Sequence, residues 1–147
     1  MFFLKDLPTP DMTSQYARYY APLEPEQIVD VLTELRRASL LIRDIEAYFR
    51  ERDFSLLRFL ILIIIDRQSD RDYLQFSEIV EKVDVSKPVV TRTIKCMVEA
   101  GLLSMHGDEA DKRIKNYSLT DAGKACIQDL FPGYFKLLGA AAGKSNS

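Results

Sequence analysis

Histidine and cysteine are almost absent from this sequence. His106 stands alone, and Cys96 and Cys126 are the only thiols. A lone histidine rules out a histidine-rich metal site and a histidine-based relay. Two cysteines are too few for a disulfide framework. Both are expected to be buried structural residues, since a low-pKa thiolate has no setting here beyond Lys95 beside Cys96. His106 is expected to be an ordinary strand residue. No glycine-rich phosphate loop, nucleophile elbow or metalloprotease motif occurs. The expectation is a non-enzyme with no catalytic residues, no metal and no cofactor.

A long apolar run is also missing. The longest, LLRFLILIII at 56–65, contains Arg58 and falls far short of the ~20 residues a membrane span requires. The opening MFFLKDLPTP carries Lys5, Asp6, Pro8 and Pro10, which does not fit the basic start and unbroken apolar core of a secretion signal. The chain is therefore expected in the cytoplasm, without a membrane partner. A surplus of positive charge is absent as well. A net charge of −2 argues against coating nucleic acid through bulk charge, so only a localised basic patch remains open.

What is present fits one domain with a sizeable core, at 147 residues. Residues 1–25 gather Pro8, Pro10, Pro22 and Pro25 with Phe2, Phe3, Tyr16, Tyr19 and Tyr20. Thr9-Pro10 can start a short helix, because threonine caps and proline suits the first helical position. Two readings stand: a loose tail, or an arm that packs its aromatics on a partner subunit. Residues 26–52 read as one long helix. Ile28, Val31, Leu35, Ala38, Ile42, Ile45 and Phe49 form an apolar seam at heptad period. Leu32, Leu40, Leu41 and Tyr48 widen it to a second face, and a helix apolar on two sides needs two partners. A second copy of the chain is one reading, a wholly internal helix the other.

Ser55 can cap a buried helix reaching Gln68. Leu74–Phe76 suggests a stub of strand, and Ser77-Glu78 opens a short helix with Ile79, Val80 and Val83 turned inward. After Asp84-Val85 a helix starts at Ser86, with Pro88 in its first turn. Val90, Ile94 and Met97 give it one buried stripe, and Gly101 signals its end. Two short helices about a tight turn make a helix-turn-helix. LLSMHG (102–107) and IKNYSL (114–119) flank the charged turn DEADKR as a hairpin. Thr120 caps a last helix, which Pro132-Gly133 is expected to kink or break.

This order is mainly α with a small β-hairpin wing: an α+β, winged helix-turn-helix class with a long N-terminal dimerisation helix. LQFSEIVEKVDVSKPVVTRTIKCMVEAGLL and DEADKRIKNYSLTDAG resemble the paired helices and the wing of the MarR family of bacterial transcriptional regulators. The resemblance covers residues 54–131, and helix 26–52 fits in position and length. Little sequence follows Leu138, where family members usually carry a further helix. The resemblance thus implies an arm (1–25), a helical dimerisation region (26–52 and 120–138), a DNA-binding lobe (53–119) and a disordered tail (139–147).

With Val90, Ile94 and Met97 buried, helix 86–100 turns Lys87, Pro88, Val89, Thr91, Arg92 and Lys95 outward. Cations and small polar groups suit a major groove. Arg92 can pair with a guanine edge, Val89 or Thr91 can touch a thymine methyl, and Ser86 can hold a phosphate. Gln75 and Ser77 are further phosphate candidates. Lys112, Arg113 and Lys115 place cations on the wing, where a narrow minor groove attracts them. The charges of residues 71–117 nonetheless cancel, eight against eight, so the argument rests on sorting of charge. The resemblance implies Arg113 in the minor groove and Asp111 bracing the wing by a salt bridge. It also implies a homodimer through Ile28, Val31, Leu35, Ile42 and Ile45, double-stranded DNA as partner, repression as the default, and release by a small aromatic ligand. The alternative is a winged-helix module that binds protein and antagonises another regulator without touching DNA.

Overall fold

The computed structural model describes residues 4–20 and 24–145. Phe2, Phe3, Pro22 and the last two residues of the expected tail lie outside the described residues. The chain divides into two compact units, one up to Ala47 and one from Tyr48 onward.

The first unit holds α1 (Pro10–Tyr20) and most of α2 (Pro25–Arg50). Thr9 starts α1 as its sequence suggests: its hydroxyl accepts the Met12 N–H at 3.3 Å. The Arg36 Nη1 donates to the Leu4 carbonyl at 3.2 Å and ties the start of the chain to α2. Tyr16, Tyr19 and Tyr20 stay exposed on α1. So do Val31, Leu35 and Ile42 on α2, at 54%, 47% and 46%. Ile28 is half-buried, whereas Ile45 is only 6% exposed within the single chain. Ile45 therefore cannot share a free seam with the other four, contrary to the heptad reading. The spacing gives the face of a helix, but not which part of that face its own chain covers.

The second unit begins with the last turn of α2. Asp53 closes that helix in the left-handed region (φ 52°), and the Phe54 N–H donates back to the Phe49 carbonyl at 2.9 Å. Helix α3 (Leu56–Asp66) follows, capped by Ser55, whose hydroxyl accepts the Arg58 N–H at 3.2 Å. It is apolar all round and takes the centre of the unit: Phe59, Ile61, Leu62, Ile64 and Ile65 are buried. Strand β1 (Tyr73–Gln75), α4 (Phe76–Lys82), α5 (Lys87–Glu99), β2 (Leu103–Gly107) and β3 (Lys115–Leu119) come next. The sheet is antiparallel in the order β1-β3-β2, so the expected stub of strand extends the hairpin to three strands. Leu74, Tyr117 and Leu103 face a core shared with Ile79, Val90, Ile94 and Met97.

Helix α6 (Asp121–Ser145) starts where Thr120 locks onto the end of α5. The Thr120 N–H donates to the Leu102 carbonyl at 3.1 Å and its hydroxyl accepts the Gly123 N–H at 3.1 Å. Gly123 passes so near the Leu102 carbonyl that a Cβ there would overlap it. Pro132 does not break α6, and the helix runs on through 139–145, where a disordered tail was expected. Proline removes one N–H from the ladder, but the run Gly139-Ala140-Ala141-Ala142 resumes with the strongest helix former. Among the described residues no helix is long and apolar enough to cross a membrane.

Candidate nucleic-acid interface

The recognition face forms on α5 because one stripe is taken by the core. Val90, Ile94 and Met97 are at most 2% exposed. The opposite side leaves Ser86, Lys87, Pro88, Thr91, Arg92 and Lys95 exposed, with Val89 half-buried beside them. The first turn carries no acid. Proline at its start sets the entry without wasting an N–H. Ser86 occupies the cap position, but its side chain makes no capping bond. The Thr91 hydroxyl donates to the Lys87 carbonyl at 2.9 Å, which spends its donor on its own helix. Lys95 has an acidic neighbour only at the far end, Glu99, at 3.9 Å. Lys87 Nζ sits 6.0 Å from the centre of the Phe76 ring, linking the starts of α4 and α5.

The wing is shaped by two aspartates. Asp108 Oδ1 accepts the N–H groups of Ala110 (2.8 Å) and Asp111 (3.1 Å) and curls the tip. Asp111 then accepts from Arg113 three times: from the backbone N–H at 3.0 Å, from Nε at 3.2 Å and from Nη2 at 3.2 Å. The Arg113 side-chain hydrogen bonds hold the Asp111 carboxyl below the usual aspartate range. The brace is thus local, from Asp111 to Arg113 itself. Arg113 keeps 91% of its side chain in solvent, and Lys112 and Lys115 are exposed beside it.

Ser77 is exposed and Gln75 half-buried at the start of α4. The cap residue there is Gln75, not Ser77, and the Glu78 carboxylate accepts the Gln75 N–H at 2.8 Å. Glu78 also receives both terminal nitrogens of Arg71. The roles of Arg71, Asp108 and the Glu78 carboxylate emerge only here. The spacing Gln75-x-x-Glu78 is that of a capping box, and an aspartate opening a turn is an Asx signal, so two of the three were findable.

Cys96 is exposed on α5, which corrects the expectation of a buried thiol. Its neighbour Met97 faces the core, and one helical step of 100° turns Cys96 away from it. Cys126 is half-buried, and burial pushes its thiol pKa up. His106 is exposed on β2.

Comparison with known proteins agrees with this geometry. Residues 54–123 match the model of a winged helix DNA-binding domain. The HTH-type transcriptional repressor YetL of Bacillus subtilis is 26% identical over 137 residues, spanning 93% of this chain and 81% of the relative. The structure of Sco3205, a MarR family transcriptional regulator from Streptomyces coelicolor in complex with DNA, superposes with a TM-score of 0.74 at 17% identity, covering 83% of this chain and 76% of that one. Bordetella bronchiseptica BpsR, whose structure concerns regulation of its DNA binding by 6-hydroxynicotinic acid, gives 0.65 at 16% identity, covering 74% and 76%. Residues 54–123 are thus similar to winged helix DNA-binding domains, and the chain has the fold of the MarR-family structures.

Proposed function

We propose that the protein is a homodimeric repressor that reads a near-palindromic operator, with α5 in the major groove and the wing at the flanking minor groove. The observation that carries this is the two-faced α5. Its core stripe is closed, and its open side bears Lys87, Arg92 and Lys95 with no acid before Glu99. Arg92 reads a guanine edge, Thr91 and Val89 meet a thymine methyl, and Ser86, Gln75 and Ser77 hold phosphates. Arg113 enters the minor groove, with Lys112 and Lys115 on its backbone.

The dimer is supported by the apolar residues Val31, Leu35 and Ile42, which the single chain leaves in water on α2. A contiguous exposed seam of this kind marks an interface. A two-fold pair sets half-sites about one turn apart, ~34–36 Å. Repression follows the parallel with YetL. Release by a small aromatic ligand follows the parallel with BpsR.

Selection of bound duplexes from a random pool at moderate salt tests the reading. A near-palindrome is the expected result, and its half-site spacing reports the dimer. A pool that stays random, with no duplex retained, overturns it and leaves the protein-binding alternative.

A further inference from the structure

We infer that Arg71 is a positioning residue of the DNA interface: its guanidinium ties the first turn of α4 to the wing strands and so fixes how the recognition helix and the wing are presented together. This rests on the DNA-binding reading.

Five contacts form the tie. Arg71 Nη1 donates to Glu78 Oε2 at 3.1 Å, and Nη2 donates to Oε1. The same Oε2 accepts the Gln75 N–H at 2.8 Å. One carboxylate thus holds the loop before β1, the last residue of β1 and the first turn of α4. On the sheet side the guanidinium lies 5.4 Å from the centre of the Tyr73 ring. That ring meets His106 edge-on, with centroids 6.2 Å apart. Tyr73 and His106 stand on the two strands that flank β3, and Ser118 and Asn116 are their respective partners in the register. All four share one face of the sheet, since residues two apart along a strand point the same way. The two rings therefore close over β3, which accounts for an Asn116 only 5% exposed. The path Glu78–Arg71–Tyr73–His106 runs from the helix-turn-helix to the outer wing strand.

Helix α4 needs such a tie. Seven residues make two turns, too short to hold a helix by its own hydrogen bonds. Its one fully buried side chain is Ile79. Phe76 and Val80 pack against the core only in part, and α5 packs directly on the helix. Arg71 is also no ordinary solvated arginine. Only 26% of its side chain is exposed, and Nε is buried without a hydrogen-bond acceptor, the nearest carboxylate being Asp70 at 3.9 Å. Desolvating that donor is unfavourable, and the bidentate fork to Glu78 offsets it.

The sign of two substitutions tests the inference. On charge alone, Arg71→Ala weakens binding to DNA and Glu78→Gln strengthens it. A positioning role predicts that both weaken it. The affinities of the wild type, Arg71→Ala, Arg71→Lys and Glu78→Gln are measured for the selected duplex and for a scrambled one, with folding checked by circular dichroism. Both Arg71→Ala and Glu78→Gln are expected to lose about tenfold on the selected duplex, the scale of a lost charge-assisted hydrogen-bond pair. Binding to the scrambled duplex and the salt slope should hold, and a loss of fold stability alone would not separate the two duplexes. Should Arg71→Ala fail to fold, Glu78→Gln and Arg71→Lys carry the same test. Glu78→Gln binding as tightly as wild type overturns the inference. So does a salt slope that drops by about one unit in Arg71→Ala, which makes Arg71 a phosphate contact. A wild type that retains no duplex brings down the DNA-binding reading instead, so the two failures are distinct.

Discussion

The Tyr48 hydroxyl donates to the Leu130 carbonyl oxygen at 2.7 Å, and the Tyr48 ring lies against Gly133 one turn further along α6. Pro132 leaves the Gln128 carbonyl without its usual partner at this point. Tyr48 braces the helix where its ladder is interrupted, and glycine makes room for the ring. Gly133→Ala is expected to destabilise the fold by about 1–3 kcal/mol through overpacking, although alanine favours helix by about 1 kcal/mol over glycine. Tyr48→Phe should cost about 0.5–1.5 kcal/mol. Urea unfolding measures both. A Gly133→Ala variant as stable as the wild type would mean that the ring is free to move aside.

Asp53 ends α2 in a left-handed conformation with φ 52°. Glycine is the residue that this helix-ending geometry favours. The Arg58 bond here goes to the Asp53 backbone carbonyl, at 3.0 Å, and survives the change. Asp53→Gly should therefore raise stability by about 0.5–1 kcal/mol. A lower thermal midpoint would count against the strain.

Glu78 is held below the ordinary glutamate value of 4.5, chiefly by its hydrogen bonds from Arg71. The folded chain binds this proton less readily than the unfolded chain does. The stabilisation is thus complete above the ordinary value and is lost as pH falls through the lower, folded one. Unfolding curves of wild type and Glu78→Gln should differ near neutral pH and converge in acid. A constant gap would show that the carboxylate charge is not what the pair contributes.

Arg92→Ala should cost about 1–3 kcal/mol on the selected duplex and relax preference at one base position. Lys115→Ala should weaken binding to every sequence and flatten the salt slope by about one unit. Titrations at several salt concentrations separate the two patterns. Neither change alters anything if the chain acts only on a protein partner.

Cys96, exposed on α5, should react with a maleimide in the folded protein, and Cys126, half-buried with its pKa raised by burial, should lag behind it. Bound operator should slow the first reaction, because Cys96 lies one turn beyond Arg92 on the same side of the helix. Labelling unaffected by DNA would remove α5 from the groove.

Much of the fold was legible in the chain. Ser55, Thr9 and Thr120 cap where a hydroxyl at the start of a helical segment predicts, and Gly101 ends α5 with a positive φ of 74°. Val90, Ile94 and Met97 fell on the core because a 3.6-residue period leaves no other face for them. The outward cations of α5 followed by subtraction. Less was readable where a residue's fate depends on distant chain. Ile45 and Ile42 look alike in the heptad, yet one is buried and the other 46% exposed. Pro132 reads as a break, and α6 runs through it with Tyr48 bonded to the Leu130 carbonyl, 82 residues away in sequence.

By itself, then, the sequence determined the order of the elements, the buried stripe of α5 and its basic side, since these rest on local propensity and periodicity. Only the tertiary structure decided which part of the α2 seam stays open, that Cys96 is in solvent, and that Arg71 joins α4 to the wing. Those are matters of what lies opposite a side chain once the chain has closed on itself, and spacing along one segment carries no record of it.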